Sequence, residues 1–268
     1  MAESPSRPLF ANILCAVDGT RASTAAVRMA VCLAGPRGHL TLLAVTAARG
    51  SGVQATAAIA PGRVAQVLAR AKRVADEAGV PATTIVDPGH PPARVILERA
   101  ADHDLLALGG PATSWLGGML VGGVASEALS RFTTPTVFVR ASFKGPLQGR
   151  RIVVASDGLE GSDEIVALAA ALGVDQHAPV TLVHALGAES KMRPHAIQAQ
   201  VEALSKAGAS ASLIVPGRAA PVIIAAVKST GAAIVVIGSR RLGGLQAFNS
   251  VSRRVAHDSC SVLVLPPS

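Results

Sequence analysis

Short, uninterrupted apolar segments alternate along the chain with segments whose apolar residues recur every three or four positions. The first kind is typical of parallel strands that are covered by helices on both faces of a sheet. The second kind is typical of amphipathic helices; residues 27–34 show it, and Gly35-Pro36 marks their end. The alternation predicts an α/β fold whose parallel strands are joined by right-handed crossovers.

The helical spacing recurs in both halves of the chain. Val64 begins one such segment, which we expect to end at Gly79. In the second half the spacing runs over residues 165–172, with Ser162 as the predicted N-cap and Gly173 as the predicted stop. Two further segments with matching spacing begin at Ala93 and Ala220.

The order of these segments is repeated within the chain. Residues 12–19 (Asn-Ile-Leu-Cys-Ala-Val-Asp-Gly) match residues 151–158 (Arg-Ile-Val-Val-Ala-Ser-Asp-Gly). Further matches follow in the same order: 41–45 with 181–185, 88–89 with 216–217, 104–110 with 233–239, and 136–139 with 261–264. Ordered correspondences of this kind indicate a duplicated domain.

We therefore predict an α/β protein of two repeated domains, residues 1–145 and 146–268. Each is expected to be a five-stranded parallel sheet flanked by four helices. The linker between them is predicted at roughly residues 140–150, where Phe143-Lys-Gly-Pro146 breaks the periodicity.

Composition narrows the class of protein. Half of the residues are apolar, but only 2% are aromatic and none is tyrosine, so the core must be built from Ala, Val, Leu and Ile. Lys and Arg outnumber Asp and Glu by 25 to 17, which gives a net charge of +8. Because no long run of like charges appears, a solvated basic surface is favoured over a phosphate-bearing ligand or an acidic partner, and we expect neither a nucleic-acid nor a membrane partner.

The sequence predicts a cytoplasmic protein. Residues 1–10 lack the apolar core of a signal peptide. Residues 105–126 carry no charge, but six glycines and a proline argue against a membrane span. Cys15, Cys32 and Cys260 show neither metal nor redox spacing, so we expect them to be reduced.

Candidate ligand-binding residues follow the first and fourth predicted strands of each copy. The first strand ends in Asp18-Gly19 and Asp157-Gly158, and the fourth ends in Gly109-Gly110 and Gly238-Ser239. Ligands of open parallel sheets bind beyond such strand ends. Glycines let a backbone approach phosphate, and the next helix start supplies amide donors. One Asp-Gly turn alone would mean little, but the recurrence in both copies favours a site.

With these residues the chain resembles a tandem universal stress protein over nearly its whole length. The nucleotide signature of that family is Gly, two residues, Gly, nine residues, then Gly followed by Ser or Thr. The first copy keeps the spacing as Gly109, Ala112, Gly122 and Gly123. Alanine thus stands for the second glycine, and glycine stands for the hydroxyl residue.

The second copy departs further from the signature. After Gly238 the loop is two residues shorter, Arg241 stands for the second glycine, and Asn249 stands for the third. Ser250 keeps the hydroxyl. Because the shortening displaces the amides themselves, we expect the first copy to be the main ligand site.

The resemblance implies a Rossmann-like fold of the adenine nucleotide alpha hydrolase type that binds ATP or AMP, with Mg²⁺ as a companion of the phosphates. It also implies that Asp18 and Val45 frame the nucleoside, with Asp157 and Ala185 at the matching positions. The implied nucleotide-binding residues are Asp18, Val45, Gly109, Ala112, Gly122, Gly123 and Val124 in the first copy and Asp157, Gly238, Ser250 and Val251 in the second.

Two functions remain open on these residues. The first is a regulatory protein of the stress response, in which nucleotide occupancy changes contacts with an unknown protein partner. The second is a nucleotide-free interaction module with degenerate sites. We do not expect an enzyme, because no Ser–His–Asp or Cys–His pairing appears, and we interpret His184 as a structural residue. The resemblance further implies an intramolecular pseudo-dimer through the last strands, 136–139 and 261–265, and leaves a homodimer open.

Overall fold

A computed structural model describes residues 8–46, 59–88, 91–110, 124, 131–159, 161–187, 194–208, 211–238, 251, 254–255 and 260–266. The chain divides into two compact units, Met1–Gly145 and Pro146–Ser268.

The first unit is a parallel α/β domain. Its elements are β1 (Asn12–Ala16), α1 (Arg21–Ala34), β2 (His39–Thr46), α2 (Val64–Glu77), β3 (Ala82–Pro88), α3 (Pro92–Ala100), β4 (Leu105–Gly109) and β5 (Thr136–Val139). The strand order is β3-β2-β1-β4-β5, and every neighbouring pair is parallel. α1 lies against β1, β4 and β5 and contacts α2, which covers β2 and β3.

The second unit repeats this architecture. Its elements are β6 (Ile152–Ala155), α4 (Ser162–Asp175), β7 (Val180–Leu186), α5 (Pro194–Lys206), β8 (Ala211–Pro216), α6 (Ala219–Thr230), β9 (Ile234–Gly238) and β10 (Ser261–Leu265). The strand order β8-β7-β6-β9-β10 is again parallel throughout. The predicted fold class of two repeated parallel α/β domains is therefore confirmed.

Local sequence explains the limits of α1. Thr20 takes the N-cap position, and its Oγ1 accepts a hydrogen bond from the Ser23 amide at 3.1 Å. At the other end Gly35 adopts a φ of 59°, and its amide donates to the Val31 carbonyl. The predicted stop at Gly35 is thus where the helix ends.

One predicted helix end is wrong. Gly173 was expected to stop its helix, but α4 continues to Asp175. A Cβ on Gly173 would collide with a methyl group of Val180 in β7, so this glycine serves close packing within the helix. His177, with a φ of 46°, makes the left-handed turn that follows the helix. The left-handed conformation at this helix end is therefore adopted by His177 and not by the predicted glycine.

Two smaller differences concern the other helices. The predicted N-cap Ser162 is the first helical residue of α4, and Gly161 takes the N-cap position. The described residues contain three complete helices in each unit, not the predicted four. Most of each predicted fourth helix lies outside the described residues, although Val124, Arg131 and Val251 are helical.

The segment that joins the units has no regular structure, as the break in periodicity predicts. It is nevertheless partly buried, since Phe143 is 5% exposed and Leu147 is fully buried. No helix in the described ranges combines the length and the apolar character that crossing a membrane requires.

Candidate functional site

The two strands that carry the candidate residues of the first unit are neighbours. β1 lies between β2 and β4. The chain therefore adds β2 and β3 on one side of β1 and then β4 and β5 on the other side. Ligands of open α/β sheets bind in the crevice outside such a switch point. Asp18 follows β1 and Gly109 ends β4, so the structure brings these two predicted residues to the same edge of the sheet.

Asp18 forms the turn that leads from β1 into α1. Its Oδ1 accepts a hydrogen bond from the Thr20 amide at 2.8 Å, and Thr20 itself caps the helix. The carboxylate is exposed, and within the described residues the structure shows no other hydrogen bond to it. Within these ranges the second carboxylate oxygen therefore has no protein donor.

Val45 lies level with Asp18 on the neighbouring strand. The Val17 amide donates to the Leu43 carbonyl at 2.9 Å, which continues the β1–β2 register beyond the last paired residues. Val45 is buried, and its carbonyl accepts a hydrogen bond from the Ile59 amide at 3.0 Å. Val45 is thus held on β2 at the level of Asp18.

Gly109 has a packing role that the sequence did not reveal. A Cβ on Gly109 would lie 2.9 Å from the Cβ of Ala22 and from the amide nitrogen of Ser23, in the first turn of α1. Only glycine permits this close approach between the end of β4 and α1. The residue is therefore explained by packing even without a phosphate beside it.

A side chain of α2 packs against the turn that follows β1. Gly19 has a φ of +81°, and a Cβ on it would lie 2.9 Å from a methyl group of Val67. The second unit repeats this contact, because Gly158 has a φ of +67° and a Cβ there would lie 3.0 Å from Ile197 Cδ1 of α5. Val67 and Ile197 are therefore equivalent positions of their helices.

The second unit builds the corresponding turn from Asp157, whose Oδ1 accepts from the Leu159 amide at 3.0 Å. β6 lies between β7 and β9, so Asp157 and Gly238 also meet at a switch point. Ala185 lies near the end of β7. A Cβ on Gly238 would meet the terminal methyl group of Ile165 in α4, which would have to shift.

Sequence reasoning missed a buried polar cluster beneath the Asp157 turn. Ser156 Oγ donates to Gln200 Oε1 at 2.6 Å, and both residues are buried. Gln200 Nε2 donates to Asp163 Oδ1 at 2.7 Å. No spacing in the sequence signals this cluster, because Ser156 and Gln200 are 44 residues apart and lie on different elements.

His184 contacts the same cluster. Its Nδ1 donates to the Ser156 carbonyl at 2.8 Å, since a carbonyl oxygen only accepts. Its Nε2 is buried and has no hydrogen-bond partner in the described part of the chain. His184 is thus buried, but only one of its two ring nitrogens is hydrogen-bonded there.

Four predicted residues, Ala112, Gly122, Gly123 and Ser250, lie outside the described residues. Val124 and Val251 are helical, at the positions where the phosphate-side helices are expected. The loop that would contact phosphate in each unit therefore stays a prediction.

The Asp18 carboxylate influences the buried thiol of Cys15 in β1. Burial raises the pKa of Cys15 to about 12, and the negative charge of Asp18 adds to the rise. This cysteine is therefore a neutral core residue and no nucleophile. Across the described ranges, no group of three His, Cys, Asp or Glu side chains is placed to hold a metal ion.

A groove of about 640 Å³ lies along α2 and the edge strand β3. Its walls are mainly apolar and include Val64, Leu68 and Val86, with Lys72 at its side. It does not include Asp18 or Gly109, so it is separate from the switch point.

The two units, each with a switch point between its first and fourth strands, define a tandem protein of the Rossmann-like α/β class. The model of the universal stress protein family matches residues 10–140 and, a second time, residues 149–266. The chain therefore belongs to the universal stress protein family and carries two copies of its domain.

Solved structures share this fold. A universal stress protein from Archaeoglobus fulgidus DSM 4304 is 17% identical, with a TM-score of 0.77 over 97% of both chains. A functionally unknown protein from Pseudomonas aeruginosa PAO1 is 19% identical, with a TM-score of 0.67 over 98% of this chain and 95% of that one. At these identities the likeness is one of fold.

A third structure, of a universal stress protein in complex with cAMP, is 21% identical, with a TM-score of 0.37; it covers 43% of this chain and 95% of that one. A nucleotide ligand is thus present in one structure of the family. No curated protein matches the chain significantly.

Proposed function

We propose that the chain is a regulatory protein of the universal stress protein type whose first unit binds an adenine nucleotide, ATP or AMP. The observation that carries this proposal is the position of Asp18 at the switch point. Its carboxylate is exposed, is oriented by the bond to Thr20, and keeps an oxygen without a hydrogen bond in the described residues. Ribose hydroxyls are suitable donors to such an oxygen.

In this proposal the nucleoside lies beside Asp18 and Val45, and the phosphates lie over residues 109–124. Backbone amides and a helix start in that segment would supply the donors, and Mg²⁺ would accompany the phosphates of ATP. Occupancy would change the surface that the segment presents, and through it the contacts with a partner protein.

For the second unit we propose weaker nucleotide binding or none. Its phosphate-side loop is two residues shorter than that of the first unit. The Asp157 turn repeats the hydrogen bond from the turn amide to the aspartate, so the two units share this turn while their phosphate-side loops differ in length.

A nucleotide-free interaction module is the second candidate function. It is favoured by the glycine that ends β4, because Gly109 is explained by packing against the backbone of α1. A glycine kept for packing gives no support to a phosphate contact.

We assign no reaction to either unit, and the proposed action is binding rather than turnover. The cytoplasmic location, the pairing through the last strands and any homodimer stay predictions.

A thermal-shift experiment with ATP, with AMP and without nucleotide tests the proposal. A ligand at about 100 times its Kd adds roughly 2.7 kcal/mol to the stability of the state that it binds. We expect a clear rise in Tm with at least one of the two nucleotides. An unchanged Tm at millimolar ATP and AMP would favour the interaction module, and release of phosphate in the same samples would contradict the absence of turnover.

A further inference from the structure

Gln200 and Arg70 occupy equivalent positions in the two units. Each lies three residues after the side chain that packs on the glycine of the turn, Ile197 in α5 and Val67 in α2. Gln200 is 2% exposed. Arg70 is exposed, and the described part of the chain offers it no hydrogen bond or ion pair. The two units therefore differ at this position in both burial and bonding.

The Gln200 amide joins three separate elements. Its Oε1 accepts from Ser156 Oγ at 2.6 Å, and the same Oγ accepts from the Gly158 amide at 3.0 Å. Its Nε2 donates to Asp163 Oδ1 at 2.7 Å and to Ser162 Oγ at 3.4 Å. The turn after β6, the first turn of α4 and helix α5 are thus connected through one side chain.

The orientation of this amide is determined by its partners. The reversed amide would place Oε1 against the Asp163 carboxylate, two acceptors without a proton between them. Because the amide is buried and one partner is charged, loss of either bond leaves a buried polar group unpaired.

Among its described residues, the first unit shows no counterpart of the Gln200 bonds; its turn is tied to α1 through Ser23, whose Oγ accepts from the Asp18 amide at 3.4 Å and donates to the Thr20 carbonyl at 3.2 Å. By the repeat, Val17 stands in place of Ser156, Thr24 in place of Asp163, and Arg70 in place of Gln200. An apolar side chain packs on the turn in both units, Val67 on Gly19 and Ile197 on Gly158.

We infer that Gln200 is a positioning residue that latches the ligand-side turn of the second unit to α4 and α5 together. The second unit then ties its Asp157 turn to two helices through one buried amide, whereas the described hydrogen bonds of the Asp18 turn reach α1 alone, so we expect the Asp18 turn to open more readily. The inference does not depend on nucleotide binding by either unit.

The wild-type chain without nucleotide supplies the first test. The amides of Thr20 and Leu159 make the same kind of bond to the turn aspartate, at 2.8 and 3.0 Å. Thr20 is exposed and Leu159 is half-buried, so the comparison of their hydrogen-exchange protection factors is combined with the Gln200 variants, which separate the latch from this difference in exposure. We expect Leu159 to be protected at least about tenfold more than Thr20, because opening its turn breaks buried bonds to a charged group. Equal protection of the two amides would overturn the latch.

Variants then assign the effect to Gln200. In Gln200→Leu and Gln200→Glu, the protection of Leu159 should fall by about tenfold or more, while that of Thr20 stays unchanged. Gln198→Leu is the matched control, because Gln198 lies on the same helix and is exposed. It should leave both protection factors unchanged.

A rescue separates the latch from a general loss of packing. In Gln200→Glu the new carboxylate faces Asp163, and Asp163→Asn in the same chain restores a donor opposite an acceptor. The double variant should recover the protection of Leu159 and the Tm that Gln200→Glu loses. Full protection in Gln200→Leu, or no recovery in the double variant, would overturn the inference; if Gln200→Leu does not fold, the double variant decides.

Discussion

At the scale of the residue, Gly109 shows that a glycine at a ligand-side strand end can be required by packing. A Cβ there would lie 2.9 Å from backbone atoms of α1, closer than real contacts allow. We expect Gly109→Ala to lower the free energy of unfolding by about 1–3 kcal/mol, measured by chemical denaturation. Gly62→Ala is the control, since nothing lies within 4 Å of a Cβ at Gly62, and it should be nearly neutral. An equally neutral Gly109→Ala would contradict the packing account.

Cys15 provides a second prediction, in the dependence of stability on pH. Burial first, and then the charge of Asp18, raises its pKa from 9.0 to about 12 in the folded chain. The unfolded chain loses the thiol proton first as the pH rises, so the free energy of unfolding should be constant below pH 9 and fall above it. The full difference is about 4 kcal/mol, of which about 1 kcal/mol should be lost by pH 10.

The measurement is denaturation between pH 8 and pH 10.5, where no tyrosine titrates because the chain has none. Cys15→Ala should remove most of the slope. If the dependence of the free energy of unfolding on pH is unchanged in this variant, other titrating groups cause it.

At the scale of the element, α4 shows a contact that overrides helix propensity. Alanine is normally favoured over glycine inside a helix by about 1 kcal/mol. At Gly173 we expect the opposite, because a Cβ would collide with Val180 in β7. Gly173→Ala should lower the Tm, and Val180→Ala in the same chain should relieve the collision, so that the two changes together cost less than their sum. A Tm that rises in Gly173→Ala would refute this packing.

Most of the elements could be predicted from the sequence, because the signals that define them are local. Short apolar segments identified the strands, and Gly35 identified a helix end because its turn needs only neighbouring residues. Gly173 was misassigned because its role depends on Val180 in the next strand, which the helical period does not reveal. In α3 the helical spacing that begins at Ala93 does not include Val95, which is nevertheless buried because the sheet beneath the helix decides which residues are covered.

At the scale of the whole molecule, the duplication explains both the repeated geometry and the differences between the units. The Asp-Gly turns at Asp18 and Asp157 could be predicted because strand ends at a switch point follow from strand order, which the strand–helix alternation implies. The cluster around Gln200 could not be predicted, because its bonds join residues far apart in sequence that no periodicity connects.

The central claim is that the first unit binds the nucleotide through Asp18. Titration calorimetry of the full chain with ATP and with AMP tests it directly, in the wild type, in Asp18→Asn and in the matched control Asp157→Asn. Asparagine keeps the oxygen that accepts from the turn amide but removes the charge, so Asp18→Asn should weaken binding by roughly 10- to 100-fold at unchanged Tm without ligand. Asp157→Asn should bind like the wild type. Binding that is lost in Asp157→Asn and kept in Asp18→Asn, or absent from the wild type at millimolar nucleotide, would contradict the account.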